Sequence, residues 1–220
     1  MSKNLTDIIT PTPGWMRFQL AKRTGDEAVL AAFSLPFDAL ADEAKGKTVA
    51  LVGNARSLAN TEQGAQIDAA DIVVRLNTAP GRVTISHGAR TDWLFTSVRL
   101  PREVLRDLDP ARVFWASSKR KRLDYGLAKC PGFVLTPVSI SADLIVVLDA
   151  RPSTGMIAAA TLCALPFTQI RMHGFDFFSS LSLSGHRAAK DVPHDFDAER
   201  GLIMEMAQAD KRLKIIKPRA

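Results

Sequence analysis

The sequence predicts a single α/β domain built on a mainly parallel sheet with helices on both faces. Three observations carry this. Short, continuous apolar runs recur along the chain, as in strands buried on both sides. Segments of helical composition alternate with them, as a parallel sheet needs to bring the chain back to its starting edge. The length, 220 residues, suits one such domain.

Taken in order, residues 1–45 read as an N-terminal lead-in. Pro11, Pro13 and Gly14 make its first part irregular, and residues 26–33 and 38–45 have the composition of short helices. The ordered core is expected to begin at Lys47, within a main domain over 46–220. Strands are expected over 48–52, 71–76, 91–96, 112–116, 168–173 and 213–216. Helices are expected over 101–108, where Pro101 suits the first turn, over 154–165 and over 195–209. The polar stretch 179–193 reads as a long loop of the kind that carries binding residues.

Composition bounds the function. Apolar residues make up 46% and charged residues 24%, which is ordinary for a globular chain. The net charge of +6 favours anionic partners. Its densest cluster is Lys119–Arg120–Lys121–Arg122, either a solvated turn or a site for an anionic acceptor or lipid headgroup. Two cysteines, Cys130 and Cys163, make no disulfide framework and read as buried thiols of a reducing compartment. Residues 1–23 hold no apolar stretch of signal or membrane-spanning length, so a cytoplasmic location is expected.

Ligands in open α/β sheets bind beyond the carboxyl ends of the strands. Two predicted strands end there in asparagine, Asn54 and Asn77, whose amides can hold a phosphate oxygen or a base edge, or cap a turn. Gly53 permits close backbone approach to a ligand. Neither GxGxxG nor GxxxxGK[ST] is present, which counts against a dinucleotide oxidoreductase and a P-loop NTPase. Pro152 ends what reads as an extended run, and Ser153 or Thr154 can cap the following helix, leaving an anion or ribose site or a plain cap. His194 precedes another predicted helix, with Glu199 one turn inside to orient the histidine or another polar group, or to complement the helix dipole. The pairs Asp107/Asp109 and Asp195/Asp197 read as helix-terminal charges rather than metal ligands. His87, His173 and His186 lack zinc-ligand spacing with cysteine.

Together these segments resemble the sialyl motifs of the Golgi-type sialyltransferases, glycosyltransferase family 29. Val49–Asn54, Gly64–Asp68 and Val73–Pro80 are similar to the large motif, with Gly88–Asp92 continuing it. Arg151–Met156 and the later Gly174–Phe175–Asp176 are similar to the small motif, and His194–Glu199 matches the very small motif, H-x4-E. Val49 stands where the family carries a cysteine. The resemblance implies a Rossmann-like, single-domain, GT-A-like glycosyltransferase fold, with 46–220 as the nucleotide-sugar-binding catalytic domain. It implies an inverting transfer from CMP-sialic acid, or a related CMP-ulosonic acid, to a glycan or glycolipid hydroxyl, with no metal or other cofactor.

By position, the resemblance places Asn54, Asn77, Ser153, Thr154 and Gly155 on the donor and His194 as catalytic base; Gly53 is a further donor-binding candidate and Glu199 a second catalytic candidate. Arg75 and His186 are further candidates. A bound phosphate is expected to hold the His194 pKa near or somewhat above the ordinary imidazole value. Peripheral contact with an anionic membrane is a further expectation, and specific nucleic-acid binding is not expected. The alternative is a non-catalytic CMP-, nucleotide- or RNA-binding module of the same fold. That reading calls for exposed aromatic stacking platforms, and the sequence offers few.

Overall fold

The structure is a computed structural model, and it describes residues 14–81, 83–176 and 194–217. Seven strands form one sheet: β1 (Thr48–Val52), β2 (Ile72–Leu76), β3 (Trp93–Thr96), β4 (Arg112–Trp115), β5 (Phe133–Leu135), β6 (Gln169–His173) and β7 (Leu213–Ile216). Their order is β5-β4-β3-β2-β1-β6-β7, and every neighbouring pair is parallel. The chain moves outward from β1 to β5, then returns to the other side of β1. All carboxyl ends therefore share one edge, and the order reverses at β1, where open α/β sheets bind ligands.

The apolar runs form strands because both faces are covered. Val49 and Leu51 join the main core with Val74, Trp93, Phe95 and Phe114. Ala50, Val52 and Val73 pack on the opposite face with Leu58 and Ile67. This is the two-residue alternation of a strand, with apolar side chains on both sides.

Ten helices are described: α1 (Trp15–Thr24), α2 (Glu27–Ala31), α3 (Phe37–Ala44), α4 (Gly64–Asp68), α5 (Thr84–His87), α6 (Arg102–Leu108), α7 (Tyr125–Ala128), α8 (Val138–Leu148), α9 (Thr154–Cys163) and α10 (Phe196–Ala209). The first three are packed elements. Phe18 and Leu30 are buried with Val113, Trp115 and Phe133, and Leu40 and Ala44 join the main core. Burial of apolar side chains thus begins well ahead of Lys47. Helix α9 is buried along most of its length and is apolar all round, as a helix laid on a sheet face should be.

Two differences from the sequence reading have simple causes. The segment before Pro152, read as extended, is helix α8. Its Ile-Val-Val run is β-branched, and its apolar residues face both core and solvent, so no amphipathic period marks it. Strand β5 spans three residues at the sheet edge, too few to show a period. The two thiols are half-buried rather than buried, and desolvation raises both pKa values, that of Cys163 to about 11. No described helix is long and apolar enough to cross a membrane.

Candidate active site

The candidate residues from three separate segments meet along the carboxyl edge of the sheet. Asn54, just past β1, donates from Nδ2 to the carbonyl of Leu76 at 3.4 Å. Asn77, just past β2, adopts a left-handed backbone (φ 54°), which asparagine tolerates better than most residues. Its Oδ1 accepts from the Ser97 amide at 3.2 Å, just past β3. Among the described residues its Nδ2 has no hydrogen-bond partner. Ser97 Oγ in turn accepts from Thr154 Oγ1 at 2.9 Å, at the first turn of α9. One line of hydrogen bonds therefore ties the ends of β1, β2 and β3 to the N-terminus of α9.

Ser153 is the N-cap of α9, its Oγ accepting from Met156 N at 3.1 Å. The same hydroxyl donates to Glu199 Oε2 at 2.7 Å, and the Ser153 amide donates to Glu199 Oε1. The Ser153 hydroxyl is thus engaged on both sides, and its role is to position the helix start. Glu199 is 3% exposed. Burial raises its pKa, while the two bonds from Ser153 pull the other way. The structure directs Glu199 to Ser153, the other polar group its position allowed, and not to His194. The amides of Thr154 and Gly155 are left at the positive end of a ten-residue helix. That is an anion-binding arrangement.

His194 precedes α10 and is half-buried. Its Nδ1 lies 2.7 Å from the carbonyl oxygen of Arg151, two residues ahead of Ser153. A carbonyl only accepts, so Nδ1 carries the proton and Nε2 of the neutral ring carries the lone pair. Burial lowers the pKa, only partly offset by the Arg151 carbonyl, and the Arg151 charge lowers it further. In the protein's own surroundings desolvation dominates, and the upward pull expected of a bound phosphate would act against it.

Two assignments, Gly53 and Arg75, change once the geometry is known. Gly53 does bring backbones close, but the approaching group is the chain itself. A Cβ there would strike the carbonyl of Gly174 and crowd the ring of Phe175. A Cβ on Gly155 would stand 2.8 Å from the same ring, so Phe175 is wedged between the first and second motif segments. The Gly174–Phe175 pair is visible in the sequence, which by its local pattern assigns Phe175 no role. Two glycines facing one aromatic ring were the signal. Arg75 is 1% exposed, and its guanidinium donates to the carbonyls of His87, Gly88 and Arg90 and to Thr91 Oγ1. It braces the loop ahead of β3. Ser97, which joins Asn77 to Thr154, was missed because nothing in the sequence sets it apart.

Of the other histidines, His87 and His173 are buried, and His186 lies outside the described residues, as does the loop 179–193. Asp195 caps α10 by accepting from Ala198 N, and Asp109 ends α6 in a left-handed turn, so both Asp pairs serve helix ends. Among the described residues no three His, Cys, Asp or Glu side chains gather around a common point. A concavity of about 980 Å³ lies apart, at the end of β7, lined by Asn60, Gln63, Gln66 and Lys217 among others. It contains none of the candidate groups.

An all-parallel sheet whose carboxyl edge gathers amides, hydroxyls, a helix N-terminus and a tautomerically fixed imidazole defines an α/β architecture suited to binding an anion. Residues 3–102 match the model of glycosyltransferase family 29 (sialyltransferase). Among solved structures, a mammalian sialyltransferase in complex with Gal-beta-1-3GalNAc-ortho-nitrophenol is similar at 18% identity and a TM-score of 0.59, covering 93% of this chain and 85% of that one. The sialyltransferase CstII from Campylobacter jejuni in complex with a substrate analogue, cytidine-5'-monophosphate, is similar at 14% identity and a TM-score of 0.56, over 80% of this chain and 82% of that one. The CST-II sialyltransferase in complex with a trisaccharide acceptor and CMP is similar at 15% identity and a TM-score of 0.53, over 77% and 80%. These likenesses confirm the fold. No curated protein matches the sequence.

Proposed function

We propose that this chain is a glycosyltransferase that moves a sialic acid, or a related ulosonic acid, from a CMP-activated donor to a hydroxyl of a glycan or glycolipid. The transfer inverts the anomeric centre and needs no metal. The observation that carries the reading is the fixed tautomer of His194, which leaves Nε2 as a proton acceptor close to the start of α9. The CMP and glycan complexes of the similar sialyltransferases support the donor and acceptor classes.

In this reading, Nε2 takes the proton of the acceptor hydroxyl as its oxygen bonds to the anomeric carbon. The bond from that carbon to the phosphate oxygen breaks, and its electron pair leaves with CMP. The Thr154 and Gly155 amides and the Asn77 Nδ2 donor meet the phosphate charge that develops. A neutral ring at pH 7 suits the base role, and burial secures it. Glu199 acts through Ser153, and Ser97 acts through Asn77 and Thr154. Glu199, Ser153 and Ser97 are positioning residues.

Calorimetry of CMP binding, with and without EDTA, tests the site. Asn77→Asp keeps the Oδ1 acceptor for Ser97 and the tolerance of a left-handed backbone, and it replaces the amide donor with a carboxylate. It should weaken CMP binding by roughly 10- to 100-fold while the chain stays folded, the usual worth of a hydrogen bond to a charged group. An unchanged dissociation constant would return Asn77 to a turn residue. Loss of CMP binding and donor turnover in EDTA would end the metal-free reading.

A further inference from the structure

Among the described residues, helix α1 leaves apolar surface uncovered beside the densest basic cluster of the chain. Helix α1 turns Phe18 and Ala21 into the core, while Trp15, Met16 and Leu20 are 58%, 79% and 63% exposed. At 3.6 residues per turn, Met16, Leu20 and Arg23 fall on the side opposite Phe18 and Ala21. Trp15 falls on the flank shared with Lys22. That flank faces the 3-10 turn Arg120–Arg122, because Lys22 Nζ donates to the carbonyl of Leu123 at 2.7 Å. Arg120 is buried, paired with Glu27 at 2.8 Å and bonded to the carbonyls of Ser117 and Thr136. This anchor fixes the turn and leaves Lys119, Lys121 and Arg122 exposed around it. The cluster is thus a built feature, with one cation inside and three outside.

We propose that this surface docks on an anionic lipid bilayer. Trp15, Met16 and Leu20 enter the interface, and Arg23, Lys119, Lys121 and Arg122 meet the headgroups. Charge complementarity selects an anionic partner, and the exposed apolar residues select a bilayer. A soluble polyanion gains nothing from Met16 or Leu20, whereas a membrane interface takes up both kinds of group. The basic turn follows β4, so it lies on the same edge of the sheet as Asn54 and Asn77. Docking would set the active site facing membrane-borne acceptors, a consequence that rests on the proposed transferase reading, whereas the docking itself does not.

Cosedimentation of the full chain with phosphatidylcholine vesicles, with and without an equimolar share of phosphatidylglycerol, tests it. Binding should require the anionic lipid and fall with added salt. Lys121→Ala and Arg122→Ala should each weaken partitioning by about fivefold. Met16→Ser with Leu20→Ser should weaken it as well, with an unchanged melting temperature. Trp93 and Trp115 are fully buried, so iodide quenching reports on Trp15, and anionic vesicles should shield it. No binding to anionic vesicles at low salt would overturn the proposal. So would binding that none of these substitutions alters, or equal binding to heparin that is indifferent to Met16 and Leu20.

Discussion

His194 shows how a single hydrogen bond sets the chemistry of a side chain. The Arg151 carbonyl at 2.7 Å takes the Nδ1 proton and presents Nε2, and burial keeps the ring neutral. If Nε2 is the base, His194→Ala should lower turnover by roughly 100- to 10,000-fold without unfolding the chain. The direction of the pH profile follows from the lowered pKa. The neutral ring is the active form, so kcat/KM, which reports the free enzyme, should rise with pH with a midpoint below the ordinary imidazole value. The profile of kcat should lie at higher pH, since donor phosphate favours the imidazolium. A kcat/KM rise centred well above the ordinary imidazole value would separate His194 from the base role. His186 is the competing candidate, and His186→Ala assayed beside His194→Ala at saturating donor and acceptor decides between them.

At the scale of elements, two helix starts are joined by one carboxylate. Glu199, in the first turn of α10, accepts from both the amide and the hydroxyl of Ser153, the N-cap of α9. Removing it leaves two donors without an acceptor in a buried place. Glu199→Ala should therefore destabilise the chain by about 3 kcal/mol in urea titrations. Glu199→Gln, which retains one acceptor, should recover part of this. A loss of activity in Glu199→Ala with full stability would instead point to direct contact with substrate. Phe175 makes a second joint between elements, since its ring fills the space that the missing side chains of Gly53 and Gly155 leave. The glycines of both motifs thus serve packing between motifs.

For the whole molecule, acid sensitivity is expected at the strand pair β1–β6. His173, at the end of β6, is fully buried, its Nδ1 held by Gln63 Oε1 at 2.8 Å. Burial, with a smaller effect of Arg171, lowers its pKa to about 4. A histidine whose folded pKa is depressed contributes stability that is present above its unfolded pKa and lost as pH falls towards the folded one. Stability should therefore drop between pH 6.5 and about pH 4, by roughly 3 kcal/mol at most from this group. Comparing urea midpoints of the chain and of His173→Gln across that range checks it. An equal drop in both would assign the acid sensitivity to other groups.

The parallel sheet and the segments that carry the chemistry could be read from the sequence. Strands buried on both faces are continuous apolar runs, and Ser and Asp are favoured helix caps, so Thr48–Val52, Ser153 and Asp195 were legible as written. The resemblance of the three motifs pointed to the family in the same way, since linear order is a property of sequence. Edge strand β5, helix α8 and helix α1 were not legible. Three residues cannot show a period, a helix apolar on both faces has none, and α1 follows a proline-rich lead-in. Only the tertiary structure decided what each polar group touches. Glu199 could serve His194 or another partner, Arg75 could serve ligand or loop, and Gly53 could admit a ligand or a backbone. A side chain's partner is set by packing across elements far apart in the chain, and local sequence carries no record of which atoms the fold brings within hydrogen-bonding distance.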